Sequence, residues 1–163
     1  MNKIIKKIIA IPSERIISRI FLIRGKKVMI DQDLAELYEV EARVLNQAVK
    51  RNFARFPIDF MFQLDKQEAD SLRSQFVTLE NGRGKHRKYL PYVFTEQGVA
   101  MLPSVLKSDR AIQVNIQIIR TFTKLRELLA TNKELREKIE NMESRYDSKP
   151  KEVFEILESL LMQ

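Results

Sequence analysis

The chain has 163 residues, 44% of them hydrophobic and 31% charged, so it suits one domain with an appendage and allows a packed core. It has no cysteine and a single histidine, His86, which excludes a disulfide framework, a thiolate zinc site and a cysteine nucleophile. The 29 Lys and Arg residues outnumber the 22 Asp and Glu residues, and this excess favours an anionic partner, with nucleic acid ahead of a membrane surface.

The basic excess is concentrated near the N-terminus, where residues 1–28 hold eight basic side chains and one acidic side chain. Lysines interrupt the apolar residues there, so the stretch is a poor match to a secretory signal peptide. The chain also has no run of about 18 apolar residues, the length that crosses a bilayer. We predict a cytoplasmic protein without membrane insertion, whose residues 1–13 form a basic leader.

A β-hairpin is the first element predicted with a clear turn, after a short helix that Ser13 can cap. The apolar runs 20–23 and 28–30 flank the turn residues 24–27, which include Gly25. Apolar runs on both sides of a glycine-containing turn are typical of two antiparallel strands.

Two consecutive helices are predicted next, and their lengths and break are those of a helix-turn-helix. The first is capped by Asp31 or Asp33 and runs to about Tyr38. After a break at 39–41, the second covers about 42–53. Its apolar residues recur at helical spacing and predict one buried face, formed by Leu45, Ala48, Val49 and Phe53.

Two further strands are predicted at 60–64 and 89–94, and Pro91 favours an edge position for the second of them. Between them, residues 65–68 have the capping-box pattern of a short helix through about residue 76. Thr95 is predicted to cap the helix that follows the second strand.

A long helix is predicted from Asp109 to about Arg145, with a heptad pattern in its second half. The core positions of the heptads are Leu125, Leu128, Asn132, Leu135, Ile139 and Met142. The pattern extends backwards through Ala111, Val114, Ile118 and Thr121. It predicts a coiled-coil homodimer, and the alternative is a single amphipathic helix packed on its own domain. After a hinge at 148–150, a last amphipathic helix is predicted at about 151–162.

The second helix of the helix-turn-helix carries the candidate DNA-reading residues, here called the donor stripe: Arg43, Asn46, Gln47 and Lys50. They fall at i, i+3, i+4 and i+7, opposite the apolar face, and all four donate hydrogen bonds. Arg pairs with guanine in the major groove of double-stranded DNA, and Asn or Gln pairs with adenine. Arg51 and Arg55 are predicted to contact phosphates. The alternative is the polar face of an ordinary core helix.

A second basic cluster lies in a glycine-bearing loop between the two later strands and consists of Arg83, Lys85, His86, Arg87 and Lys88. Such a loop is typical of a wing that follows the DNA backbone, and the alternative is a solvent-exposed loop. We predict phosphate contacts for these residues, and no metal site at His86 because no partner ligands accompany it.

Several segments, taken in order, closely resemble the Orf-six-N domain, which is related to the KilA-N domain of phage and large DNA viruses. They are residues 27–38, 43–52, 55–64, 74–78, 90–92, 94–102 and 114–118. The resemblance covers about residues 14–120. It implies a DNA-binding domain of the kind found in phage antirepressors and mobile-element regulators, without catalytic activity. The family usually has Gly where this chain has Glu39.

We therefore predict an α+β fold with a winged helix-turn-helix-like domain and no cofactor. The predicted divisions are a leader at 1–13, the DNA-binding domain at 14–120, a coiled-coil segment at 121–147 and a C-terminal helix at 148–163. The predicted function is sequence-specific DNA binding by a phage-derived regulator or antirepressor that is not an enzyme. The alternative is a protein–protein module that binds a repressor through its helical tail without reading DNA.

Overall fold

The computed structural model of the chain describes residues 10–75, 90–134 and 136–138. Its helices are α1 (Ser13–Ile17), α2 (Asp31–Tyr38), α3 (Ala42–Arg51), α4 (Lys66–Gln75), α5 (Glu96–Leu106) and α6 (Asp109–Thr131). Its strands are β1 (Phe21–Ile23), β2 (Lys26–Ile30), β3 (Met61–Gln63) and β4 (Tyr92–Thr95), and a 3₁₀ turn spans Phe53–Arg55. The predicted α+β fold class, with a small sheet followed by a long helix, is confirmed.

The four strands form one antiparallel sheet in the order β1-β2-β4-β3. The predicted hairpin is confirmed, and its turn consists of Arg24 and Gly25, because Ile23 already pairs with Lys26. Arg24 and Gly25 have φ values of 55° and 74°. A two-residue type I′ turn, whose twist matches the right-handed twist of the strands, requires positive φ at both central residues.

The sheet places β4 in its interior, between β2 and β3. The prediction that Pro91 marks an edge strand is therefore wrong. The physical reason is that β4 begins at Tyr92, so Pro91 lies just before the strand and its missing N–H interrupts no strand pairing. The carbonyl of Pro91 instead accepts a hydrogen bond of 2.9 Å from the Leu64 N–H.

The sheet separates two apolar layers, because alternate strand residues face opposite sides. On one side Met29, Met61 and Phe94 join α1, α2, α3, α5 and α6 in the larger core. On the other side Val28, Phe62 and Val93 pack with Leu72 of α4 in a smaller core. Helix α3 lies on the larger core, where it packs on α2 and α5.

An ion pair joins the hairpin turn to α4. The Arg24 guanidinium donates two hydrogen bonds, of 2.8 and 2.9 Å, to the Glu68 carboxylate, whose side chain is 4% exposed. The same guanidinium lies 4.4 Å from the centre of the Phe62 ring. The hydrogen bonds from Arg24 lower the pKa of Glu68, so this carboxylate stays charged at neutral pH.

Two predicted helix caps are confirmed. Asp65 and Glu68 exchange side-chain to backbone hydrogen bonds of 2.8 Å in both directions, which is the predicted capping box. The Thr95 hydroxyl accepts from the Gly98 N–H at the start of α5. The predicted N-cap positions at Ser13 and at Asp31 or Asp33 are wrong, because α1 and α2 already begin at Ser13 and Asp31, and their N-cap residues are Pro12 and Ile30.

A buried polar contact fastens α2 to α6 and α5. The Tyr38 hydroxyl donates to the Asn115 amide oxygen, and the Asn115 amide nitrogen donates to the Val99 carbonyl at 2.7 Å. Burial raises the pKa of the Tyr38 hydroxyl, so it remains a donor. These bonds satisfy polar atoms that would otherwise be costly inside the larger core.

Helix α6 packs one face on the domain and ends earlier than predicted. Ala111, Val114, Ile118 and Leu125 are at most 3% exposed and belong to the larger core. The prediction of an unbroken helix to about Arg145 is wrong at Asn132, where the backbone is extended (φ −123°, ψ 101°). Asparagine competes for backbone hydrogen bonds and favours helix ends, which accounts for the break.

The turn between α2 and α3 depends on a left-handed residue. Glu39 has φ 62° and ψ 46°, and its N–H donates to the Glu36 carbonyl while the next N–H, of Val40, donates to the Ala35 carbonyl. This pair of hydrogen bonds is a Schellman motif, in which glycine normally occupies the left-handed position. Glu39 therefore keeps a strain that glycine would not have, about 1 kcal/mol or more.

Replacing Glu39 by Gly should raise the free energy of unfolding by up to about 1 kcal/mol, since the strain is removed and the ion pair of the exposed Glu39 carboxylate with the half-buried Arg110 is worth little. Chemical denaturation of the full chain measures this change. The matched control is Glu127→Gly, at an exposed position inside α6, which should cost about 1 kcal/mol. A loss of stability in Glu39→Gly would contradict the strain argument.

Candidate nucleic-acid interface

Helix α3 separates a buried face from an exposed face. Leu45 and Val49 are 0% and 4% exposed and attach the helix to the larger core. Arg43, Gln47 and Lys50 of the donor stripe are exposed on the opposite side. At about 100° per residue, Arg51 also falls on this side and is exposed. The exposed face of α3 thus presents three cations and an amide to solvent.

Asn46 occupies a different position from the rest of the donor stripe. It lies about 60° around the helix from Val49, at the border of the buried face, and it is half-buried. Its amide nitrogen donates a 3.0 Å hydrogen bond to the Asp31 carboxylate. Base reading by Asn46 stays a prediction, and a base contact through this nitrogen would replace an internal bond.

Asp31 is the buried carboxylate that holds α3 in place. It is 0% exposed, at the first residue of α2, although its predicted role was only that of a helix cap. One oxygen accepts from the Gln32 N–H at 2.7 Å, and the other accepts from Asn46 and, at 3.4 Å, from the Tyr92 N–H. Asp31 therefore links α2, α3 and the central strand β4. The sequence signal for this contact was Asn46, a short polar residue beside the apolar face of α3. Its partner Asp31 lies 15 residues earlier in the chain, so helical periodicity does not reveal the pair.

Two residues predicted to contact DNA, Arg43 and Arg55, form exposed hydrogen bonds within the protein. Arg43 donates to Glu41 at 2.8 Å, and both side chains are more than two-thirds exposed. Arg55 donates to the Ser104 hydroxyl of α5 at 3.0 Å. Ion pairs exposed to this degree contribute about 0–1 kcal/mol, so DNA can exchange with Glu41 at little cost.

The acidic residues of the helix-turn-helix lie on α2 and the turn, and α3 has none. Arg19 forms ion pairs with Asp33 and Glu36 of α2, at 3.7 and 3.3 Å, and these side chains are exposed to half-buried. Burial raises the pKa of Asp33 to about 6, against the opposing effect of the Arg19 guanidinium. The negative charge of α2 is thus partly neutralised inside the protein.

The end of α3 differs from the prediction. The helix stops at Arg51, and Phe53, predicted to lie on its buried face, is 61% exposed in the following 3₁₀ turn. The Asn52 side chain donates to the Ala48 carbonyl at 2.8 Å, and the backbone at Asn52 leaves the helical region. Helical periodicity predicted the wrong side for Phe53 because it assumes that the helix continues.

Part of the predicted site lies outside the described residues. The loop residues Arg83, Lys85, His86, Arg87 and Lys88 and the heptad residues Leu135, Ile139 and Met142 are in this group. Of the heptad residues described, Leu125 is 3% exposed within its own chain, and Leu128 and Asn132 are half-buried. The backward extension of the heptads is accounted for by packing on the domain itself, and the homodimer stays a prediction.

Within the described ranges, no group of three or more His, Cys, Asp or Glu side chains is placed to hold a metal ion. None of the helices in these same ranges has the length and apolar character needed to cross a membrane.

The fold and this surface define the class of protein first: a small α+β domain whose helix-turn-helix presents a basic, donor-rich helix face. The chain belongs to the ORF6N domain family, whose model matches residues 18–105, more than half of its length. This match confirms the resemblance to the Orf-six-N domain, and it indicates a phage-type regulatory family. No curated protein and no solved structure matches the chain.

Replacing Asn46 by Ala should lower the free energy of unfolding by about 1–3 kcal/mol, because the buried Asp31 carboxylate loses a donor. Urea unfolding of the full chain measures the loss. The matched control is Gln47→Ala, one residue along α3 and exposed, which should change stability by less than about 0.5 kcal/mol. Equal stabilities of the two variants would mean that the Asp31–Asn46 bond does not hold α3.

Proposed function

We propose that the chain is a sequence-specific DNA-binding protein that regulates transcription as a phage-type repressor or antirepressor, and that it acts by binding without catalysis. The observation that carries this proposal is the exposed face of α3, where Arg43, Gln47 and Lys50 point away from the core residues Leu45 and Val49. Membership of the ORF6N domain family supports a regulatory role.

The chemistry of this face favours DNA over a neutral partner. Arg offers two donors that match the two acceptors of guanine in the major groove, and Gln offers a donor and an acceptor that match adenine. Residues 42–58, here called the basic segment, contain four Lys or Arg side chains and no Asp or Glu. The cations suit contacts with phosphates, which position a protein on the duplex without reading its sequence. In this proposal Asn46 positions α3 through Asp31, while Arg43, Gln47 and Lys50 contact bases.

The double variant Arg43→Ala with Gln47→Ala should reduce discrimination between DNA sequences. We expect the preference for a site selected from random DNA over a scrambled site to fall about tenfold or more, since each good base contact is worth about 1–3 kcal/mol. Competition binding at constant salt measures the ratio. The control is Gln113→Ala with Arg120→Ala, which removes the same two residue types from exposed positions of α6. Undiminished discrimination would remove Arg43 and Gln47 from the reading surface.

The double variant Arg51→Ala with Arg55→Ala, at two exposed positions predicted to contact phosphates, should weaken binding to all duplexes and flatten the salt dependence. The slope of log affinity against log salt should become shallower by about 0.9 for each lost phosphate contact. The matched control, Arg120→Ala with Lys124→Ala, removes two exposed charges from α6 and tests net charge alone. Equal slopes for the two double variants would mean that net charge, and not the position of α3, governs binding. If the unmodified chain binds no duplex at any salt concentration, the repressor-binding alternative replaces the proposal.

A further inference from the structure

The basic segment also exposes apolar side chains. Of the large hydrophobic residues that the described part of the chain leaves exposed, Val44, Phe53 and Ile58 lie in this segment, and Ile112 and Ile116 lie on α6. Phe53 is the largest of them and is 61% exposed. Cations precede and follow Phe53 in the chain, and burial of its ring against a partner would be favourable.

The exposure of Phe53 is built into the turn that follows α3. Asn52 ends the helix through its bond to the Ala48 carbonyl, and the Phe56 N–H donates to the Phe53 carbonyl at 2.9 Å. Phe56 itself is 2% exposed and packs edge-on against Phe94, with ring centres 5.8 Å apart. The turn is therefore anchored at both ends, and it holds Phe53 outward two residues after the last residue of α3.

The charges around Phe53 decide which partner suits it. Lys50, Arg51 and Arg55 are exposed on either side of it along the chain, and the basic segment has no carboxylate. A second copy of the chain, docked through this surface about a two-fold axis, would bring like charges together, which is unfavourable. A DNA duplex instead presents phosphates beside its grooves, and the major groove has one apolar group, the thymine 5-methyl.

We propose that Phe53 contacts the methyl group of a thymine at the edge of the DNA site that α3 occupies, and so reads a T·A pair by apolar contact. The inference rests on the proposed function, since it needs α3 in the major groove. It adds a specificity-determining residue outside the donor stripe, and it assigns the exposed ring of Phe53 to the same groove as the donors of α3.

The test is a double-mutant cycle that combines a substitution of Phe53 with removal of the thymine methyl group. The probe is a duplex of about 25 base pairs carrying the site enriched from random DNA, in which each thymine is replaced in turn by deoxyuridine. For the unmodified chain, we expect one such replacement to weaken binding about three- to fivefold, the value of one buried methyl group. Phe53→Ser should bind the thymine duplex more weakly and should no longer distinguish it from the uracil duplex. Phe53→Leu, which keeps an apolar side chain, should still distinguish the two.

The control is Ile112→Ala, which removes an exposed apolar side chain from α6 and should bind like the unmodified chain. If no uracil replacement weakens binding, or if Phe53→Ser loses the same factor on both duplexes, the methyl contact is overturned while the proposed function stands. If Phe53→Ser changes the oligomeric state, measured as the mass of the particle in solution, and leaves the DNA affinity unchanged, Phe53 belongs to an interface between copies and the methyl contact is overturned. If the unmodified chain binds no duplex, the proposed function falls and the methyl contact with it.

Discussion

The buried Asp31 carboxylate is the contact that joins the helix-turn-helix to the sheet. It accepts hydrogen bonds from the start of its own helix, from Asn46 of α3 and from Tyr92 at the start of β4. A buried carboxyl group is costly unless its oxygens are hydrogen-bonded, so folding favours the arrangement that brings these elements together. The orientation of α3 on the domain, and hence the side that it presents to solvent, follows from that requirement and from the burial of Leu45 and Val49.

In α3 and the turn that follows it, different side chains support the fold and form the exposed surface. Leu45, Val49 and Phe56 provide apolar burial, and Asn46 provides a buried bond, so these residues support the fold. Residues such as Gln47 and Lys50 are exposed and contribute little to stability, so the surface they form is available for binding. Because stability and binding use different residues, the two can be tested separately by substitution.

The long helix α6 shows what a heptad pattern means in this chain. Ala111, Val114, Ile118 and Leu125 repeat at the spacing of a coiled coil, yet they pack on α1, α2 and α5 of the same domain. An apolar stripe at this spacing indicates that one face of the helix is buried. It does not indicate whether that face packs on the same domain or on a second chain. The break at Asn132 separates this packed part from the heptad residues beyond it.

Local patterns in the sequence determined the hairpin, the helix-turn-helix, the 65–68 capping box and the Thr95 cap, because turn geometry, helical periodicity and capping depend on neighbouring residues. They also determined the basic, donor-rich face of α3. Only the tertiary structure decided that β4 is an interior strand, that Asn46 binds Asp31 and that Phe53 stays exposed. Each of these depends on which residues distant in the chain become neighbours, and on where the backbone leaves a helix, and no local period carries that information.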